Sequence, residues 1–532
     1  MKHIILLFIL SLLSATTSLA QPTDFAVSLE EFTIPGFDGI HSAAFAEYQG
    51  KWLIVGGRLN GLHAYLPPSA FPPYTQNLNL SVLDIGNHQI WTADASVLPI
   101  AVLEHISSSN MQFSQKGNYL YVIGGYGYVD SLADFITFPK MTAIDVPAVI
   151  DAVQNQTNFL PYFRQITDQN FAVTGGNLQQ MGDDFYLVMG HRFDGKYNHN
   201  HGATYTQTYT HQIRKFGIND DGTNLSVFNY TTQEDSLNLH RRDYNLVPQI
   251  FAGGVEGMTA FAGVFQPIKD LPFLNSVDIT PAGFTVNNSF QQNLNQYHTA
   301  HLPVYDSLTD AMHTVFFGGM SRFRPDSLNP NLLKEDTLIP FVKTISQITR
   351  YNNVVTEKFL PIEMPAFLGS NAEFLPLENT HFTQTGILRL DKLDTTKTLV
   401  GYILGGIESP YPNVFKGNES ASFPSSRIFR VYIHKSATTD IKTQIFSYLN
   451  LHCFPNPARK KVNIAFQVPK NESLSIFITD TDGKTVEKLL ENQVLHGKNQ
   501  LVWEPKQLAT GIYFCNLQIG NYVQTAKIVW EE

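Results

Sequence analysis

The segment His191-Arg192-Phe193-Asp194-Gly195-Lys196-Tyr197-Asn198-His199-Asn200-His201 sets three histidines and a carboxylate within a few residues of one another. Imidazole and carboxylate at short spacing are donors for a transition metal. A metal site needs three or four donors converging on one point. On a strand, His199 and His201 would share one face and find no third partner, so no metal and no cofactor is assigned. A second set of polar residues follows a series of glycine-terminated apolar runs: Arg58, Tyr126, His191 with Arg192 and Asp194, Arg322 with Arg324, and Glu408. Arginine offers a fork to a carboxylate, and tyrosine a flat face plus a hydroxyl. The set suits a glycan, acidic or ordinary, or a protein surface. Arginines and aromatics that merely tie one sheet to the next would leave the same pattern. No catalytic residue is assigned, because the chain has no serine nucleophile elbow, phosphate-binding glycine loop or His-Glu-x-x-His. The runs Asn219-Asp220-Asp221-Gly222 and Asp480-Thr481-Asp482-Gly483 begin like calcium loops, lack the closing glutamate, and read as turns.

The elements that would position these residues repeat. Apolar runs at 52–57, 120–125, 185–190, 258–263, 315–319 and 402–406 each end in glycine. Short, continuous apolar runs fit inner strands of a multi-sheet fold. Paired glycines permit positive φ and close approach of backbones. Each run follows a strand-like segment and a turn. After a variable loop comes a further strand pair, as at 80–94, 141–153, 211–231 and 346–361. Four antiparallel strands per unit, six times over, are expected. The last unit ends on its third strand, 426–433, and residues 25–34 at the other end of the chain would supply the fourth and close the ring.

Four-stranded units in tandem with glycine-pair anchors resemble Kelch-type β-propellers. The expected fold class is all-β: a six-bladed Kelch-like β-propeller, with seven the alternative count, followed by a small C-terminal β-sandwich. Only the first unit has a late tryptophan, Trp91, and the fourth anchor, Ala262-Gly263, has a single glycine. The resemblance implies that the loops after the anchors gather on one face, together with His41, His298 and His381. It also brings two enzyme types into view. Galactose-oxidase-like propellers hold copper through a tyrosine crosslinked to cysteine, and the absence of cysteine before residue 453 excludes that cofactor. Sialic-acid-mutarotase-like propellers use acid and base groups at the channel mouth, for which Glu408, His191, Arg192 and Arg58 are candidates. A binding module is the main reading, a carbohydrate-active enzyme the alternative, and an adhesion component without a small ligand the third.

The tail carries the most specific pattern. Phe454-Pro455-Asn456-Pro457, then Asp482-Gly483-Lys484, then Leu508-Ala509-Thr510-Gly511-Ile512-Tyr513-Phe514, and finally Thr525-Ala526-Lys527-Ile528-Val529 follow in order. This series resembles the C-terminal sorting domain of the Bacteroidota type IX secretion system, with Pro455, Asn456, Pro457, Gly483, Gly511, Tyr513 and Lys527 as its marks. The resemblance implies the type IX machinery as partner, passage through the periplasm to the outer cell surface or medium, and removal of the tail. Lys2, the apolar 4–13 and Ser18-Leu19-Ala20 fit a signal peptide. The expected organisation is signal peptide 1–20, propeller 22–437, linker 438–445 and sorting domain 446–532. No transmembrane segment is expected after signal cleavage, and the chain is expected to be a monomer. The net charge is −10, with −12 on residues 21–445 and +1 on residues 446–532, which argues against nucleic acid as a partner. Aromatics at 12% and charged residues at 15% suit a sheet-rich extracellular protein. Cys453 and Cys515 both lie in the tail; an exported protein permits a disulfide, and spacing alone leaves open whether the sulfurs meet. Asp-Ser-Leu at Asp130, Asp235, Asp306 and Asp326, with Asp-Thr-Leu at Asp336, resembles the Bacteroidota O-glycosylation acceptor and equally reads as a turn. Deletion of residues 446–532 is expected to leave the propeller folded and held in the periplasm. Cell fractionation checks this, and normal levels of the truncated chain outside the cell would contradict it.

Overall fold

The structure is a computed structural model describing residues 25–200, 204–326, 333–377, 381–394, 397–413, 421–435, 451–481, 483–519 and 522–531. The expected signal peptide and linker lie outside these residues. Two compact units, Met1–Lys435 and Ser436–Glu532, divide the chain.

The first unit is a six-bladed β-propeller built on antiparallel four-stranded sheets, to which Leu388–Arg389 adds a short parallel strand in the fifth and Phe423–Pro424 a short strand in the sixth. Blade I comprises Ala44–Tyr48, Lys51–Val55, Asn79–Asp84 and Gln89–Asp94; blade II comprises Gln112–Lys116, Tyr119–Ile123, Lys140–Asp145 and Phe163–Thr167. Blade III comprises Asn177–Met181, Asp184–Val188, Gln212–Asp220 and Leu225–Glu234; blade IV comprises Asn245–Phe251, Val255–Phe261, Ser276–Thr280 and Gly283–Asn287. Blade V comprises His301–Asp306, Ala311–Phe317, Thr344–Tyr351 and Val354–Glu363. Blade VI takes Phe367–Pro376, Lys397–Ser409 and Ile428–Lys435 from the end of the unit and Phe25–Phe32 from its start. Phe25 pairs with Lys435 and Phe32 with Ile428, so the N-terminal strand seals the last blade.

The continuous apolar runs follow from burial on both faces of each sheet. Along Lys51–Val55, Leu53 and Val55 pack toward blade II, whereas Trp52 and Ile54 pack toward blade VI. Leu120 and Val122 of blade II face blade I, and Tyr121 and Ile123 face blade III. Blade III repeats the pattern, with Phe185 and Leu187 toward II and Tyr186 and Val188 toward IV. Alternate side chains point to opposite faces of a strand. An element covered on both sides therefore loses the polar half of its alternation.

The anchor turns join the blades. The second glycine donates its N–H to the next blade: Gly57 to Ser108, Gly125 to Val173, Gly190 to Arg241, Gly319 to Leu368 and Gly406 to Ile40, at 2.8–2.9 Å. The first position has positive φ in every blade, including Met189 and Ala262 where glycine is absent. A β-carbon at Gly56, Gly124, Gly318 or Gly405 would collide with the carbonyl of Ile106, Val173, Leu368 or Ile40 of the following blade.

One segment departs from the strand expected of it. Residues 146–153 belong to the helix Val146–Asn155, and the fourth strand of blade II comes later, at Phe163–Thr167. Asp145 caps the helix by accepting from the Ala148 N–H, Pro147 sits in the first turn, and Val146, Val149, Ile150 and Val153 are buried on one side. That spacing is helical, and the cap and proline are helix-start signals.

The second unit is a small sandwich of His452–Phe454, Val462–Thr479, Thr485–Trp503, Gly511–Ile519 and Tyr522–Trp530. The long strand Val462–Thr479 pairs with His452–Phe454 at its start and with Gly511–Ile519 at its end, while Thr485–Trp503 runs beside it throughout with a register shift between Val468 and Glu472, and all five strands share one core. Asn456 clamps the last strand: its side chain donates to the Lys527 carbonyl at 2.7 Å and accepts from the Val529 N–H at 2.8 Å. Tyr513 donates to the Ala509 carbonyl at 2.9 Å, and Gly483 turns the central hairpin at φ +80°.

Gly318→Ala is expected to destabilise the propeller by about 3 kcal/mol, since it combines positive φ with a carbonyl collision. Gly386 has φ +83° and open space around it, so Gly386→Ala is expected to cost only about 1 kcal/mol. Denaturant titration of the two variants checks the difference.

Candidate functional site at the propeller mouth

The residue just before or at the start of each innermost strand closes around the axis. The Asn110 N–H donates to the Ser42 carbonyl (3.1 Å), Gly175 to Asn110 (3.3 Å), Asp243 to Gly175 (2.8 Å), His298 to Asp243 (3.0 Å) and Asn371 to His298 (2.7 Å). One residue per blade thus forms a chain of backbone hydrogen bonds from Ser42 through Asn371. The neighbouring positions bridge to the residues after the anchors: His41 to Arg58, Ser109 to Tyr126, Thr174 to His191, Arg242 to Val264 and Ser370 to Ile407. The anchor loops and the starts of the innermost strands therefore share one face.

Several sequence-selected residues on this face have their polar groups engaged internally. Arg58 is buried beneath Phe71, donates to Asn60, Thr75 and the Pro72 carbonyl, and is lowered by burial to about 10. Tyr126 is buried, donates to the Gly195 carbonyl at 2.6 Å, and lies in a cluster with Phe135, Phe193 and Phe71. His191 is hydrogen-bonded through Nδ1 with Gln207 at 2.7 Å, and burial holds its pKa well below the ordinary value. Arg192 is 48% exposed and paired with Asp194, which also accepts from the Thr137 N–H. Arg322 pairs with Glu335 on the blade V hairpin that also carries Arg324. Glu408 accepts from Ser425 and Arg427. The eight candidates are thus spread over blades I, II, III, V and VI rather than gathered on one point. His199 stacks on Tyr65 at 4.4 Å, apart from the His191–Gln207 contact, and His201 lies outside the described residues. Among the described residues no three His, Cys, Asp or Glu side chains converge to hold a metal.

The strongest polar centre lies at Arg242. Its guanidinium is paired with Asp243, lies 5.3 Å from the centre of the Phe265 ring, and keeps 24% of its side chain exposed. Burial works against its charge, but Asp243 and the hydroxyls of Tyr209 and Tyr297 outweigh it and raise its pKa. Two buried atoms here, Arg242 Nε and the Tyr297 hydroxyl, have no hydrogen-bond partner in the protein. Buried polar groups are ordinarily satisfied. His63 is close enough to feel Arg242 and Asp243, and packs edge-on to Tyr197 at 4.6 Å. On the adjoining blades, His298 Nε2 meets Glu373 at 2.9 Å. Burial alone would lower His298, and the Glu373 carboxylate outweighs it to raise the value. Sequence reading passed over Arg242, Asp243, Tyr297 and Glu373 because they precede or enter innermost strands instead of following the glycines. Ser42, Asn110 and Gly175 stand at one shared spacing before their anchors, and that spacing is the available signal.

Residues 452–531 match the family described as a secretion system C-terminal sorting domain. No curated protein gives a match. Among solved structures, one described as the structure of YjhT is 11% identical with TM-score 0.39, covering 74% of this chain and 99% of that one. Another is PorZ, described as an essential bacterial surface component of the type-IX secretion system of Porphyromonas gingivalis. It is 10% identical with TM-score 0.24, covering 94% of this chain and 60% of that one. Both scores are too low to bear on function, and the propeller stands on its own strand pairing. The C-terminal unit is a type IX sorting domain, and the protein is secreted or displayed at the cell surface. Among the described residues no helix is long and apolar enough to cross a membrane.

Burial lowers His41 and His105 to about 3 and His63 and His313 to about 4. Each contributes stability that is complete above the unfolded value near 6.5 and is lost as pH falls toward the folded value. Glu357, raised by burial to about 7, and the raised His298 act in the opposite sense and offset part of this. The protein is expected to be less stable at pH 5.5 than at pH 7.5 by about 2 kcal/mol. Guanidinium unfolding at the two pH values measures it, and an unchanged or higher midpoint at pH 5.5 would contradict it.

Proposed function

We propose that the propeller is an exported binding module whose mouth captures a carboxylate-bearing glycan, with Arg242 as the anchor. The supporting observation is a partly exposed arginine side chain whose buried Nε finds no acceptor in the protein. Asp243 engages one side of it and sets its orientation. A ligand carboxylate meeting the exposed part of the side chain supplies a further acceptor, with the charge-assisted geometry that arginine favours. The Tyr297 hydroxyl gives a further donor, and Phe265, Tyr209, Tyr197 and His63 offer flat faces to a sugar ring. The loops carrying Arg192, Arg322 and Arg324 form the wider rim.

A second reading, acid–base turnover of the captured sugar, has its support in the His298–Glu373 pair. A carboxylate-paired imidazole beside an anion site is suited to moving a proton. Glu408, held by Arg427 and Ser425, is less suited to that role.

The test takes residues 25–435 and measures retention on immobilised acidic and neutral glycans, with NMR of product mass and anomer in parallel. Selective retention of acidic glycans is expected. Arg242→Gln should weaken it by roughly 10- to 100-fold and Tyr297→Phe by about 5-fold, as for a charged and a neutral hydrogen bond. Equal binding of neutral and acidic glycans, or unchanged affinity in Arg242→Gln, would remove the anchor role. Conversion of the sugar that disappears in His298→Asn would favour the second reading.

A further inference from the structure

Cys453 and Cys515 are the only cysteines of the chain. Cys453 sits in the short strand His452–Phe454 opposite Ile464, and Cys515 sits in Gly511–Ile519 opposite Ile478. Residues directly opposite on an antiparallel pair point to the same face. Ile464 and Ile478 are both fully buried in the single core of this unit, one on each side of the register shift in the long strand. Both sulfurs therefore point into that core. The two side chains lie against each other in that core. Cys515 is wholly buried, whereas Cys453 is partly exposed.

We infer that Cys453 and Cys515 form an intramolecular disulfide in the exported chain, tying the first strand of the sorting domain across its core to the strand Gly511–Ile519. The contact also orders the chemistry. The hydrogen bond from Cys515 favours the thiolate of Cys453, while that bond and burial make Cys515 harder to ionise. The accessible Cys453 thiolate attacks one sulfur of an external disulfide, either a thiol oxidoreductase or a small disulfide such as oxidised glutathione. A mixed disulfide forms and the first external thiolate leaves. Cys515 then gives up its proton and attacks the Cys453 sulfur, releasing the second external thiolate. The two cysteines lose two electrons and the external disulfide is reduced to two thiols, so the exchange balances. The tie holds in place the strand that leads directly into Pro455-Asn456-Pro457, where Asn456 clamps the last strand. An exported compartment is where such a bond persists.

The test uses the full chain recovered from the periplasm. It is denatured without reductant, treated with a maleimide and weighed by mass spectrometry, before and after exposure to oxidised glutathione. The expected chain takes no label until reduced, then takes two, and its digest yields one peptide pair linking Cys453 to Cys515. Label on both thiols without reductant, persisting after oxidised glutathione, would overturn the inference. So would a link between two chains in place of the internal one. Reduction and Cys453→Ser should each lower the melting of the C-terminal unit by roughly 10 °C and leave the propeller transition unmoved. An equal effect on both transitions would also speak against a local tie.

Discussion

A ring of separate sheets holds its shape only if each sheet is fastened to the next at an equivalent point. Here that fastening is the turn after the second strand, where a glycine N–H reaches the carbonyl that introduces the next blade. The contact requires a backbone at positive φ and no β-carbon facing the neighbour, and glycine meets both conditions without strain. Gly406 reaches back to Ile40, so the last blade fastens to the first. Met189 and Ala262 occupy the first position of the same turn at positive φ, a conformation that side chains resist. The surrounding sheets impose the turn there.

The mouth is a consequence of the same fastening. Because the anchor turns bridge to the starts of the innermost strands, polar residues at either place are brought to one face. Most of them are consumed in holding loops together, as with Arg58 under Phe71 and Glu408 with Arg427. Arg242 differs in keeping both an exposed part and an unsatisfied one. A cation kept charged by a neighbouring carboxylate, yet short of an acceptor, is the group on which the proposed ligand site rests.

The two units answer different needs. The sorting domain directs export and is built around a small core in which Asn456 and Tyr513 close the ends through backbone contacts. The acidic charge and the long loops belong to the propeller.

The amino-acid sequence by itself determined the blade count, the six anchors, the closure by the N-terminal strand and the export route. These were legible because a doubly covered sheet writes continuous apolar runs, and a tight inter-blade turn admits little but glycine. The segment 146–153 was misread as a strand since its apolar spacing was judged by content and not by period, although Asp145 and Pro147 announced a helix. The polar centre at Arg242 was decided only by tertiary structure. Arg242, Tyr297 and Glu373 come from different blades, and no local pattern sets which arginine is spent on its own loops and which is left short of a partner. The approach of Cys453 and Cys515 is of the same kind: it depends on where the strand Val462–Thr479 changes partner from His452–Phe454 to Gly511–Ile519, a property of the packed core that the linear spacing does not carry.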